Sequence, residues 1–89
     1  MATTKVKKIT TERLIELMQS ESYKDRFKAE YYQLRDRWEK LSEMLEKHKA
    51  GTLEFTPNCP IDILSRQKRC MTEYLHILER RANIEKIKL

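Results

Sequence analysis

FKAEYYQLRDRWEKLSEMLEKH, residues 27–48, decides the fold. Within it Phe27, Tyr31, Leu34, Trp38, Leu41, Leu45 and His48 follow one another at steps of four and three. That alternation is the signature of a helix with one continuous seam over three heptads, and neither proline nor glycine interrupts it. Before this stretch, Ser22 followed by Asp25 has the form of a capping-box start. Gly51 stands where a helix ends on a left-handed glycine. The spacing therefore predicts a helix over 22–50, roughly 40 Å long at 1.5 Å per residue. That is longer than a compact monomer of 89 residues needs.

On the N-terminal side, Thr10 reads as an N-cap, with Ile9 and Leu14 placed as a hydrophobic staple. Leu14, Ile15, Leu17 and Met18 then give a short helix over 10–20, too brief to stand unless it packs on something. On the C-terminal side, GTLEFTPNCP (51–60) is the one real loop, with Leu53 and Phe55 expected to tuck onto a helix. Pro60 suits the first position of the next helix, where its missing N–H costs nothing. That helix, expected over 60–87, has an apolar face wider than one seam: Ile63, Leu64, Cys70, Met71, Tyr74, Leu75, Ile77, Leu78, Ala82 and Ile84. The helix at 22–50 can cover only part of it, and small chains often complete their burial by association. The expected architecture is all-α. Residues 1–89 form a single helical domain with a basic arm (1–9), a short N-terminal helix and a long antiparallel hairpin, assembled as a homo-oligomer.

Composition excludes several classes. A single glycine leaves no room for glycine-rich phosphate loops or dinucleotide fingerprints. A mean hydropathy of −0.79, with no apolar run near the roughly 20 residues a bilayer span requires, argues against a membrane helix. The opening MATTKVKKIT has lysines but no apolar stretch and is not expected to be a secretory signal. The net charge of +5 admits an anionic partner, but it is spread along the chain. Only Lys5, Lys7 and Lys8 resemble a basic arm, a weak basis for nucleic-acid binding, and DNA is not expected as a partner. Two cysteines eleven residues apart, with no CxxC, fit reduced thiols in a cytosol.

The residue types present raise three kinds of chemistry: metal binding, catalysis and nucleotide binding. Cys59, Cys70, His48 and His76 supply ligand types for zinc, but their spacing matches no paired-ligand pattern, and Cys70 falls on the apolar face as a small hydrophobe. No metal or cofactor is expected. Nothing resembles a nucleophile elbow, a paired-carboxylate cleft or a Cys–His arrangement, so no enzyme is expected. Aromatic and basic residues, by contrast, interleave: Tyr23, Phe27, Tyr31, Tyr32 and Trp38 with Lys24, Arg26, Lys28, Arg35, Arg37 and Lys40. Aromatic faces stack on bases at roughly 1–3 kcal/mol each, and neighbouring cations neutralise phosphate. Their seam positions also make Phe27, Tyr31 and Trp38 core in part, whereas Tyr32 is freer to face a ligand.

The order of residues then narrows the class. Glu30-Tyr31-Tyr32-Gln33-Leu34-Arg35-Asp36-Arg37, followed by Lys40-Leu41, resembles the E-Y-x-x-L-x-x-R-x-x-K-L run of a family of small phage proteins. Leu64 to Leu75, followed by Ile77-Leu78 and Arg81, resembles its L-x-x-Q-x-x-x-M-x-x-Y-L-x-x-L-x-x-R second half. The family includes the anti-CBASS sponges of the second type, which bind cyclic oligonucleotide alarm signals without cleaving them. The resemblance spans residues 27–84 and rests mainly on helix-packing positions. It implies a helical homo-hexamer, with cyclic dinucleotides such as cyclic GMP-AMP between pairs of subunits and cyclic trinucleotides at separate sites. In that family a helix tyrosine stacks on a base, and a lysine toward the far end of that helix reaches a phosphate. Tyr31 matches the tyrosine, with Tyr32 able to share or take its role. The same register places Glu46 where the lysine is expected, so Lys47 is the candidate and Lys40 the reserve. Arg69, Arg80 and Arg81 are candidates for the trinucleotide site.

The expected function is thus sequestration of cyclic di- and trinucleotides by a phage protein in the cytoplasm of the infected bacterium, blocking CBASS signalling. The alternative is a helical interaction module that binds a host protein through the wide face of the last helix.

Overall fold

Glycine at position 51, with φ 76°, closes the long helix as its position suggests. Its N–H donates to the carbonyl of His48 (3.1 Å), and the next N–H, from Thr52, donates to Lys47 (2.9 Å). This pair of bonds is the Schellman arrangement, and a residue without a Cβ adopts it freely. The computed structural model describes residues 9–89. Its helices are α1 (Thr11–Met18), α2 (Tyr23–Ala50) and α3 (Ile61–Glu85), and no strand occurs among the described residues. The lysine arm read at Lys5, Lys7 and Lys8 lies outside them.

Helix α2 is the backbone of the structure, and α1 and α3 both pack on it. Thr10 caps α1 with its hydroxyl, which accepts from the Arg13 N–H (3.1 Å). The start of α2 differs from the capping box read in the sequence. Ser22 is the N-cap residue, but its side chain makes no cap bond. The Asp25 carboxylate instead accepts from the Ser20 hydroxyl (2.8 Å), and the Ser22 N–H donates to that hydroxyl's oxygen (3.0 Å). The turn between α1 and α2 thus draws on Ser20, one step earlier than the pattern suggests. Pro60 is likewise the cap of α3 and not its first helical residue. Its ψ of 143° is extended, and its carbonyl accepts from Ile63 and Leu64.

The core forms where α2 begins and α3 ends. Phe27 and Tyr31 pack with Leu75, Leu78, Ala82 and Ile87, flanked by Tyr32, Leu34 and Trp38. Leu75 and Leu78 are wholly buried, each worth about 1.5–3 kcal/mol of transfer free energy. Ile87 lies beyond α3 and reaches the core because Lys86 turns left-handed (φ 61°), which lets the Ile87 N–H donate to Ala82 (2.8 Å). The left-handed conformation costs a lysine about 1–2 kcal/mol, which burial of Ile87 offsets.

Helix α3 carries two seams one position apart. Leu64, Lys68, Met71, Leu75, Leu78 and Ala82 face α2 and are buried or half-buried. Ile63, Gln67, Cys70, Tyr74, Ile77, Arg81 and Ile84 form a second run of steps of four and three, and all are exposed, Ile84 at 66%. Cys70 is therefore exposed and not the buried thiol its apolar setting suggested, because α2 covers the neighbouring seam and stops there. Phe55 is also exposed (58%), whereas Leu53, Pro57 and Cys59 of the loop are half-buried. Within α1, Leu17 is buried while Ile15 and Met18 face outward, since a two-turn helix lying on one neighbour hides only one stripe.

Candidate functional site

Tyr31 and Tyr32 are neighbours in sequence with opposite environments. Tyr31 is 2% exposed, and its hydroxyl donates to Glu79 on α3 (2.7 Å). Arg35, one turn on and itself 6% exposed, donates to that hydroxyl (3.5 Å) and to Glu39 (3.2 Å), with Glu79 3.9 Å away. Burial, then the Glu79 carboxylate, pushes the Tyr31 phenol up to about 12. A phenol held neutral by a carboxylate and packed in the core is a strut between helices. Its ring presents no face to solvent within one subunit.

Tyr32 is half-buried and meets Tyr31 edge-on, with ring centroids 5.5 Å apart and planes at 75°. It lines an open groove of about 480 Å³ between α1, the start of α2 and the C-terminal tail. Thr10, Arg13 and Leu17 form the α1 wall, Lys28 and Tyr32 the floor, and Lys88 and Leu89 the third side. The position of Tyr32 one residue off the seam is what frees it.

The remaining candidates are distributed over the hairpin. Lys40 is exposed in mid-helix and paired with Asp36 (3.0 Å). Lys47 is exposed in the last turn of α2, about 22 Å along the helix from Tyr32. Arg69 lines a second open groove, of about 1030 Å³, at the loop end of the hairpin, shared with His48, Lys49, Arg66 and Lys68 and with the acids Glu46 and Asp62. Arg80 is exposed at the opposite end. Arg81 is held locally: it donates to Glu85 (3.1 Å) and to the Tyr23 hydroxyl (2.6 Å), and its guanidinium lies 5.0 Å from the Phe27 ring centroid. The Tyr23 hydroxyl in turn donates to Glu85 (2.8 Å). That bond, with the Arg81 contacts, holds the Glu85 carboxyl below the usual carboxylate range. Within one subunit the structure thus brings neither Lys40 nor Lys47 to the tyrosines, and it sets Arg69 far from Arg80 and Arg81.

Trp38 lies between two cations, Arg35 at 5.6 Å and Lys68 at 5.9 Å from its ring, and its indole N–H donates to Thr72 (2.8 Å). Tyr74, on the exposed seam, donates to Glu30 of α2. Among the described residues there is no cluster of three or more metal-ligating side chains, and no helix is long and apolar enough to cross a membrane.

In the sequence nothing marks Arg13 or Lys88 for a role, and Lys28 stands only among the interleaved cations. No local pattern marks them, since the groove exists only once α1 and the tail have folded onto α2. Arg35 belongs to the same interleaved set but is buried, satisfied by acids from two helices.

A family model described as Sequestin matches residues 21–84. No curated protein and no solved structure matches the chain.

Proposed function

The chain belongs to the Sequestin family, and from that premise we propose that it is a phage sponge that captures cyclic di- and trinucleotides intact and so blocks CBASS signalling in the infected bacterium. The family's description implies a sequestering, binding role in place of catalysis, and the match across most of the hairpin is the observation that carries the reading. The motif resemblance along α2 and α3 supplies the ligand class, with cyclic GMP-AMP as the representative.

The second seam of α3 supports assembly. Ile63, Cys70, Tyr74, Ile77 and Ile84, interrupted by Gln67 and Arg81, leave a largely apolar seam along a 25-residue helix, and large exposed apolar surfaces are uncommon on isolated subunits. A homo-hexamer covers it with copies of the same seam. With Tyr31 in the core, Tyr32 is the base-stacking ring in this proposal. Lys47, 22 Å away along α2, then contacts phosphate from a neighbouring subunit, with Lys40 as the nearer substitute. Arg69, Arg80 and Arg81 remain the residues proposed for the trinucleotide site. The same stripe also favours a second reading, in which a host protein docks on α3.

Native mass spectrometry of the purified chain, with and without a mixture of cyclic GMP-AMP and cyclic trinucleotides, tests both. A hexamer that gains nucleotide mass, and releases the nucleotide uncleaved on heating, is the result expected of a sponge. A monomer or dimer with no nucleotide uptake rejects it in favour of the docking module, and a linearised nucleotide makes the protein a nuclease.

A further inference from the structure

We propose that the groove around Tyr32 is a phosphate-binding half-site carried by a single subunit, with Lys28, Lys88 and Arg13 as its phosphate ligands. The proposal deepens the sponge function and rests on it only for the identity of the natural ligand.

Three observations converge. The first is charge: three cations line the groove and no carboxylate side chain does. Among the described residues no ion pair joins Lys28 or Lys88 to an acid, whereas Arg35 and Arg81, which contact tyrosine hydroxyls, are tied to acids. Arg13 is paired only with the exposed Glu16 (3.2 Å), and an ion pair so open to water exchanges readily for a phosphate. The second is geometry. Lys28 and Tyr32 stand four residues apart on α2, hence on one face and within reach of one nucleotide unit. The volume of about 480 Å³ lies in the range of small-molecule pockets. The third is construction. Lys88 is brought to the groove by the left-handed turn at Lys86 and the burial of Ile87, and Arg13 by the packing of α1. Both of these elements lie outside residues 21–84, the stretch that matches the family, whereas Lys28 and Tyr32 lie within it. Tyr32 offers a ring beside the cations, the pairing that recognises a base with its phosphate.

Calorimetry on the full chain with cyclic GMP-AMP tests the assignment. Lys28→Ala and Lys88→Ala are each expected to weaken binding about tenfold, the scale of one charge-assisted hydrogen bond. Lys24→Ala, an exposed lysine outside the groove, should leave binding unchanged. Lys28→Arg should retain most of the affinity, which a merely structural defect would not predict. Wild-type affinity in both alanine variants overturns the half-site while leaving the sponge intact. If the wild-type chain takes up no cyclic nucleotide, the sponge reading falls, and titration of the isotope-labelled chain with adenosine 5′-monophosphate decides the groove separately. Amide shifts confined to Arg13, Lys28, Tyr32 and Lys88 uphold it; shifts elsewhere, or none, overturn it.

Discussion

The hydroxyl of Tyr31 donates to the carboxylate of Glu79 across the α2–α3 interface at 2.7 Å, which makes the tyrosine of the family motif a structural element of this hairpin. Its burial at 2% exposure has a practical consequence. Tyr31→Ala removes a core aromatic at about 3–5 kcal/mol, enough to unfold a small domain, so lost binding in that variant says nothing about the ligand.

Tyr31→Phe is the informative change. It keeps the ring and deletes the hydrogen bond, while water still reaches the partly exposed Glu79. A loss of about 1 kcal/mol is expected, read as a fall in melting temperature of roughly 4–8 °C with helix content unchanged.

The raised Tyr31 phenol sets an alkaline limit. Its folded value, about 12, lies above the ordinary value of 10.0, so the native state favours the neutral phenol. The stability this contributes is complete below pH 10 and is lost as the pH rises through about 12. Circular dichroism and phenolate absorbance should show helix loss coupled to ionisation in that window. Tyr31→Phe should remove the ionisation that accompanies it.

Thr72→Val leaves the Trp38 indole N–H without its partner at nearly constant volume. Because Trp38 is only half-buried, the expected cost is about 1 kcal/mol, at the low end for an unsatisfied donor. Trp38 is the sole tryptophan, so its fluorescence reports the change directly in a urea titration.

The two left-handed helix ends predict opposite responses. Gly51→Ala forces a Cβ onto a φ of 76° and should destabilise by about 1 kcal/mol, although nothing lies within 4 Å of the added carbon. Lys86→Gly relieves the same strain at φ 61° and should raise the melting temperature by a few degrees.

Ile77→Lys places a charge in the middle of the exposed α3 seam, where the wild-type side chain is 53% exposed. The folded subunit should keep its helix content while the assembled mass falls. An unchanged mass would show that this seam is not where copies meet.

The helices were legible because their signals are local. The unbroken seam from Phe27 to Leu45 needs only a period, and Thr10 and Gly51 act within one turn of themselves. The left-handed end at Lys86 was not legible, since no glycine marks it and its support is Ile87 entering a core built by two other helices. Cys70 is exposed despite its apolar setting for a related reason. Adjacent seams on α3 look alike in sequence, and only the placement of α2 decides which one is covered. Arg35 reads as one of several surface cations, yet it is buried because Glu79 arrives from a position 44 residues away to meet it.

For the candidate site the division is sharper. Three helices, a basic and aromatic first half of α2, and a face of α3 too wide for one partner are written in the order of residues alone. These follow from spacing along a single chain, where a period of 3.6 residues fixes which side chains share a face. Helix packing turns Tyr31 inward while Tyr32 lines a groove, and it gathers Lys28, Arg13 and Lys88 around that groove. Those positions lie up to 75 residues apart, and nothing local constrains their meeting. They come together because burying Leu17 and Ile87 against α2 is favourable, and the cations beside those anchors are carried along with them.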